Sequence, residues 1–160
     1  MMRIFSIFVL LFCIAVYSDT LTGLVVGVSD GDTVKVLDAT KTQHRIRLYG
    51  IDAPESHQAF GQRSKQLMSS LVFNKNVRVE YTEKDQYGRL LGTVYLGSIN
   101  INLEMVKAGL AWHYVYFAKN AKDIAQAEAG AREKKLGLWA DPNPTPPWDF
   151  RRMTKKNRNK

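Results

Sequence analysis

Four carboxylates and an arginine fall in two short stretches near the start of this chain, Asp30-Gly31-Asp32-Thr33 and Arg47-Leu48-Tyr49-Gly50-Ile51-Asp52-Ala53-Pro54-Glu55. A third stretch, Asp85-Gln86-Tyr87-Gly88-Arg89, sets a second arginine beside another turn. Carboxylates hold hard cations through oxygen, and guanidinium forks grip oxyanions on two atoms at once. These are the parts needed to cleave a phosphodiester. The substrate is already an anion, and attack by water adds a second negative charge at phosphorus. Groups that bind better as that charge develops lower the barrier. Each stretch alone has a plainer reading. Asp30-Gly31-Asp32 is a hairpin turn, with Asp30 structural even if Asp32 is a ligand. Pro54-Glu55 is a turn or a helix start, and Arg47 a solvated strand residue. Their joint occurrence is what favours a site.

The segments between these stretches must bring them together. Residues 21–28 and 34–37 are apolar and β-branched, with the Asp-Gly turn between them. Residues 43–48 alternate, with His44, Ile46 and Leu48 on one face and Arg45 and Arg47 on the other. Arg47 therefore faces either solvent or an anionic partner. Residues 59–73 carry an i, i+4 apolar stripe through Leu67 and Leu71, which predicts a helix. Residues 77–81 and 90–96 predict a fourth and a fifth strand, with a short return at 99–101. Asn102 is placed to cap a helix over 102–107, stopped by Gly109. A last helix is expected over 123–135, after which Leu138 and Trp139 pack back as a lid. Five short strands with a helix between the third and fourth predict an α+β fold, a five-stranded OB-type barrel with about three helices.

The ends differ from the middle. Met1-Met2-Arg3 precedes a run from 4 to 16 that is apolar but for Ser6, and small residues stand at Ala15 and Ser18. Residues 1–18 thus read as a cleaved signal peptide, the run being shorter than the ~20 residues of a membrane span. An uncleaved anchor is the alternative, which would make this a tethered envelope protein. Cys13 is the sole cysteine, so the mature chain would have no disulfide, no thiolate zinc site and no cysteine nucleophile. Residues 19–141 suit one domain with a single core. Residues 142–160 are Pro-rich, then basic, and are expected to lack fixed structure. Six of the 23 Lys and Arg residues lie in 151–160, which holds no acid. Such a tail would attract polyanions or simply aid solubility.

Over residues 22–139 the chain resembles the thermonuclease, or staphylococcal nuclease-like, family. The resemblance rests on Asp-Gly-Asp-Thr at 30–33, Arg47 with Asp52-x-Pro54-Glu55, and Tyr87-Gly88-Arg89. It extends to Asn102, Ala108-Gly109-Leu110-Ala111, Tyr114-Val115-Tyr116 and Lys135-Leu136-Gly137-Leu138-Trp139. It departs from the family at Gln86, where a lysine is frequent, at Ala118, where a proline occurs, and in the short loop 56–62.

The resemblance implies a calcium-dependent endonuclease of DNA and RNA that leaves 3′-phosphate and 5′-hydroxyl ends. It assigns Ca²⁺ to Asp32, Asp52 and the backbone carbonyl of Ala53, and catalysis to Arg47, Glu55 and Arg89. Glu55 would orient or deprotonate a water; two arginines and a dication nearby weaken a carboxylate as a base, so both roles stay open. Tyr87, Tyr114 and Tyr116 would contact bases or the terminal phosphate, or else pack at the barrel edge. The expected protein is a secreted or periplasmic monomer with no stable membrane association after cleavage. The competing class is an OB-fold module that binds nucleic acid without cutting it.

Overall fold

The computed structural model describes residues 18–158, so the expected signal peptide falls, but for Ser18, outside the described residues. In chain order the elements are β1 (Asp19–Asp30), β2 (Thr33–Asp38), β3 (Gln43–Leu48), β4 (Ile51–Asp52), α1 (Gly61–Val72), β5 (Asn76–Lys84), β6 (Leu90–Leu96), β7 (Ile99–Asn100), α2 (Ile101–Lys107), β8 (Trp112–His113), α3 (Lys122–Glu133), a 3₁₀ turn (Gly137–Ala140) and α4 (Pro147–Arg158). No helix among the described residues is long and apolar enough to cross a membrane.

β1 is long enough to serve two neighbours. Its first half pairs with β5 (Leu21 opposite Val79) and its second half with β2 (Val28 opposite Val34). Register shifts at Val25/Gly27 and Val28/Asp30 bend it between the two partners. β3 follows β2, and β6 follows β5. A parallel pairing of β3 with β6, Arg47 opposite Leu91, closes the five strands into an OB-fold barrel. That closure sets the end of β3 against the start of β6, so the two arginine-bearing stretches become neighbours.

Val25, Val34, Val36, Ile46, Val79 and Val94 fill the barrel, and Met68 and Val72 of α1 with Ile101 and Met105 of α2 cover it. The first turn shows why the glycine is there. Neither Gly31 nor Asp32 has a positive φ, so left-handed geometry is not the reason. A Cβ on Gly31 would stand 1.8 Å from Ser64 Oγ of α1. The turn carrying Asp32 therefore lies flush against the helix.

Two expectations are corrected. Asn102 does not cap α2; Asn100 does, its side chain accepting the Leu103 amide. Asn102 is buried, accepts the Val94 amide at 3.0 Å and donates to the carbonyls of Tyr49 and Gly92. It ties α2 to β6 and to the β3–β4 turn. The second correction concerns the tail. The globular part does not end at the prolines, because residues Pro147–Arg158 form a fourth helix, α4. Trp148 lies stacked 5.4 Å from Tyr114 and edge-on 5.6 Å from Trp112, while Phe150 meets His57 at 5.1 Å. These aromatics bring a basic segment back onto the body, where a charge run alone would leave it in water.

Candidate active site

Asp32 is held by the turn that presents it. Its amide donates to Asp30 Oδ1 at 3.0 Å, and its carbonyl accepts the Leu48 amide at 2.8 Å. Its carboxylate accepts Thr33 Oγ1 at 3.1 Å and the Ala53 amide at 2.6 Å. The second of these bonds joins the two acidic stretches directly. Burial, then the charge of Asp32, pushes the Asp30 carboxyl up to about 7. Asp30 is thereby a poor metal anion and a good hydrogen-bonding brace for the turn.

Asp52 stands on β4, whose two residues pair with β8, Asp52 opposite Trp112. The ladder buries it to 1 % exposure. Burial raises its pKa, opposed by Arg151 and Arg47. Arg47 resolves the choice the strand pattern left open, since its side chain meets anions rather than water. One terminal nitrogen lies 2.9 Å from Asp52 Oδ1 and 3.2 Å from Asp32 Oδ2. The other donates to the carbonyls of Leu48 and Ile51 at 2.8 and 2.7 Å.

Arg89 is set by a turn of its own. Asp85 Oδ1 accepts the amides of Tyr87 and Arg89, both at 2.9 Å, and Oδ2 accepts Arg89 Nε at 2.7 Å. Burial opposes ionisation of Asp85, but these bonds from Arg89 and Tyr87 hold its carboxyl below the usual range. Arg89 also lies 5.4 Å from the centre of the Tyr87 ring.

Glu55 begins the connection to α1 and is partly open to solvent, its side chain 33 % exposed. Its backbone is fixed by Gln58, whose Nε2 reaches the Thr145 carbonyl before α4. The side chain of Glu55 meets a residue that sequence reasoning missed. Arg151 of α4 donates 2.8 Å bonds to Glu55 Oε1 and Asp52 Oδ2. Burial works against this guanidinium's charge, but the bonds to Asp52 and then Glu55 outweigh it and raise its pKa above the ordinary arginine range.

Asp32, Arg47, Asp52, Ala53, Glu55, Tyr87, Arg89 and Tyr114 all line one cleft of about 790 Å³, together with Asp30, Asp85 and Arg151. Tyr116 does not line it; that residue is 77 % exposed and packs on Phe117. Residues 45–141 match the family described as staphylococcal nuclease homologue. A micrococcal nuclease of Shigella flexneri is 44 % identical over 147 residues, covering 86 % of this chain and 84 % of its own. An uncharacterised endonuclease of Haemophilus influenzae is 48 % identical over 133 residues, 83 % of this chain and 74 % of its own. The staphylococcal-like nuclease CAN1 of Arabidopsis thaliana is 42 % identical over 108 residues, 68 % of this chain but 33 % of its own. The chain belongs to the staphylococcal nuclease family.

In this staphylococcal nuclease homologue the acidic centre fits a hard cation by its donor chemistry. Asp32 and Asp52 offer oxygen only, and they are buried charges that need positive neighbours. Among the described residues no three His, Cys, Asp or Glu side chains form a ready cage. An ion here would be held by two carboxylates, a backbone carbonyl and water. Arg151 shows that a positive group can stand against Asp52 and Glu55. It lies beyond the family-matched segment, and the tail read as a charge run gave two signals of its presence: Pro147 at a helix start and two aromatics among the bases.

Proposed function

We propose that this protein is an exported endonuclease that hydrolyses phosphodiester bonds of DNA and RNA, uses Ca²⁺ and leaves 3′-phosphate and 5′-hydroxyl ends. The observation that carries the reading is convergence: Asp32, Arg47, Asp52, Glu55 and Arg89 come from separate segments of a staphylococcal nuclease-family chain and line a single cleft. The printed names of its relatives, nuclease and endonuclease, point the same way. Export rests on the signal peptide read from residues 1–18.

Asp32 and Asp52, with the Ala53 carbonyl, hold the ion. Bound there, Ca²⁺ supplies Lewis-acid stabilisation of charge on the phosphate. Weak binding suffices outside the cell, where calcium modules work at ~10⁻⁴–10⁻³ M. Arg47 is fixed by carbonyls and carboxylates, so its charge is in place before substrate arrives and needs no reorganisation. Among the described residues the Arg89 guanidinium is held through Nε alone, which leaves its terminal fork for phosphate oxygens. Glu55 orients the attacking water or takes its proton. Tyr87 and Tyr114 give the cleft aromatic surface against which bases stack.

The test is incubation of the purified mature protein with plasmid DNA and with RNA, in CaCl₂ and in EGTA. Cleavage of both substrates in calcium and none in the chelator is the expected result. Full activity in EGTA without another divalent ion removes calcium from the account, and intact plasmid over hours favours the non-catalytic binding module. Product ends that ligate only after both removal of the 3′-phosphate and phosphorylation of the 5′-hydroxyl check the end chemistry.

A further inference from the structure

Arg151 takes the same oxygens that the proposed site needs. Its fork spans Asp52 Oδ2 and Glu55 Oε1 at 2.8 Å each, with a further contact to Asp52 Oδ1 at 3.3 Å. Arg47 already holds Asp52 Oδ1. With α4 docked, both oxygens of Asp52 are therefore committed to guanidinium groups, and Glu55 is paired with a cation instead of a water. An incoming divalent ion meets a carboxylate whose charge is already answered. We propose that α4 is an inhibitory latch, with Arg151 competing with the divalent cation for Asp52 and with the attacking water for Glu55, so that ion binding and α4 docking exclude each other. This rests on the proposed function and adds its regulation.

The attachment of the latch suits reversible release. Of the residues in α4 only Pro147 is buried. The helix is held by the Trp148 and Phe150 contacts and, before it, by Gln58 on the Thr145 carbonyl. A pocket of about 140 Å³, partly open to solvent, borders the segment and is lined by Pro54, Phe60, Trp112, Pro144 and Phe150. The outer part of α4 carries Arg152, Lys155, Lys156 and Arg158, all exposed. A polynucleotide approaching the cleft would draw these residues to its phosphates and favour the released state.

Linkage fixes the size and the sign. If the ion binds only the released form, its apparent dissociation constant rises by the inverse of that form's population. With the latch open in about a tenth of molecules, affinity falls about tenfold. Ca²⁺ must loosen α4 by the same factor by which α4 weakens Ca²⁺.

The experiment uses the full mature chain and two variants. Arg151→Met keeps an apolar stem but removes the competing charge. Trp148→Ala loosens the docking without touching a carboxylate. Calorimetric titration with CaCl₂ should show both binding roughly tenfold more tightly than the unsubstituted protein. Hydrogen exchange in the unsubstituted protein should show the amides of α4 losing protection as Ca²⁺ is added. Calcium binding of equal or lower affinity in Arg151→Met, with α4 protection unchanged by the ion, overturns the latch and leaves the calcium site standing. If neither the unsubstituted protein nor either variant binds Ca²⁺, the latch and the calcium reading fall together.

Discussion

Asn102 Oδ1 accepts the backbone amide of Val94 at 3.0 Å, deep between α2 and β6. The same amide group of Asn102 donates to the Tyr49 carbonyl, in the turn between Arg47 and Asp52. One buried side chain thus fixes the barrel to the loop that shapes the site. Replacing it with alanine would take this partner from the Val94 amide and the Tyr49 carbonyl, while the Gly92 carbonyl keeps the Tyr49 amide at 2.8 Å. Asn102→Ala should destabilise the protein by about 2–3 kcal/mol, read as a lower urea midpoint with an unchanged slope.

The two site arginines should separate in their effects. Arg47 is 12 % exposed at its side chain and stands between Asp32 and Asp52. Its loss strands buried charge, so Arg47→Ala should cost on the order of 3 kcal/mol of stability as well as activity. Arg89 meets only Asp85 among the carboxylates and is more open. Arg89→Lys should lower the cleavage rate on the order of 10²-fold, because the fork is lost. Its unfolding midpoint should move less than that of Arg47→Ala, since the Arg89–Asp85 pair is less deeply buried and a lysine keeps the charge.

Gly31 is predicted to be intolerant because α1 is close, not because of its backbone angle. Its added Cβ would meet Ser64 Oγ at 1.8 Å and Ala53 Cβ at 2.8 Å. Gly31→Ala should lose about 1–3 kcal/mol and shift Asp32 away from the cleft. Adding Ser64→Ala should recover part of the loss, measured by thermal denaturation of the single and double variants.

Asp38 gives the stability an acid limb. Hydrogen bonds from His44, then from Thr40 and the Thr42 amide, hold its carboxyl well below the usual range. A carboxyl depressed in the folded state contributes stability above its unfolded value, near 4, and loses it as pH falls through the folded value. Denaturation of Asp38→Asn and the unsubstituted protein should therefore differ at pH 6, with the gap beginning to narrow only as pH falls below about 4.

What the sequence made visible was local. The alternation of residues 43–48 predicted β3 at its observed bounds, and 90–96 did the same for β6. Val77, Val79 and Tyr81 marked β5, though it runs on to Lys84. The chemistry-bearing residues were legible because their types are rare in combination. What stayed hidden depends on partners far along the chain. The ladder of β4 with β8 is two residues long and has no periodicity to read. Asn102 looked like a cap because its real partner, Val94, is known only once β6 and α2 meet. Arg151 stood in a run of bases whose charge spoke for solvent, while the aromatic contacts that fold it back are tertiary.

In the proposed mechanism Glu55 acts on a water at the phosphate bound between Arg47, Arg89 and the acidic centre. Single-turnover cleavage of an oligonucleotide by Glu55→Gln in saturating CaCl₂ tests it most directly. The expected rate is lower by on the order of 10²-fold or more, with the unfolding midpoint retained. A variant that cleaves at the rate of the unsubstituted protein would contradict it.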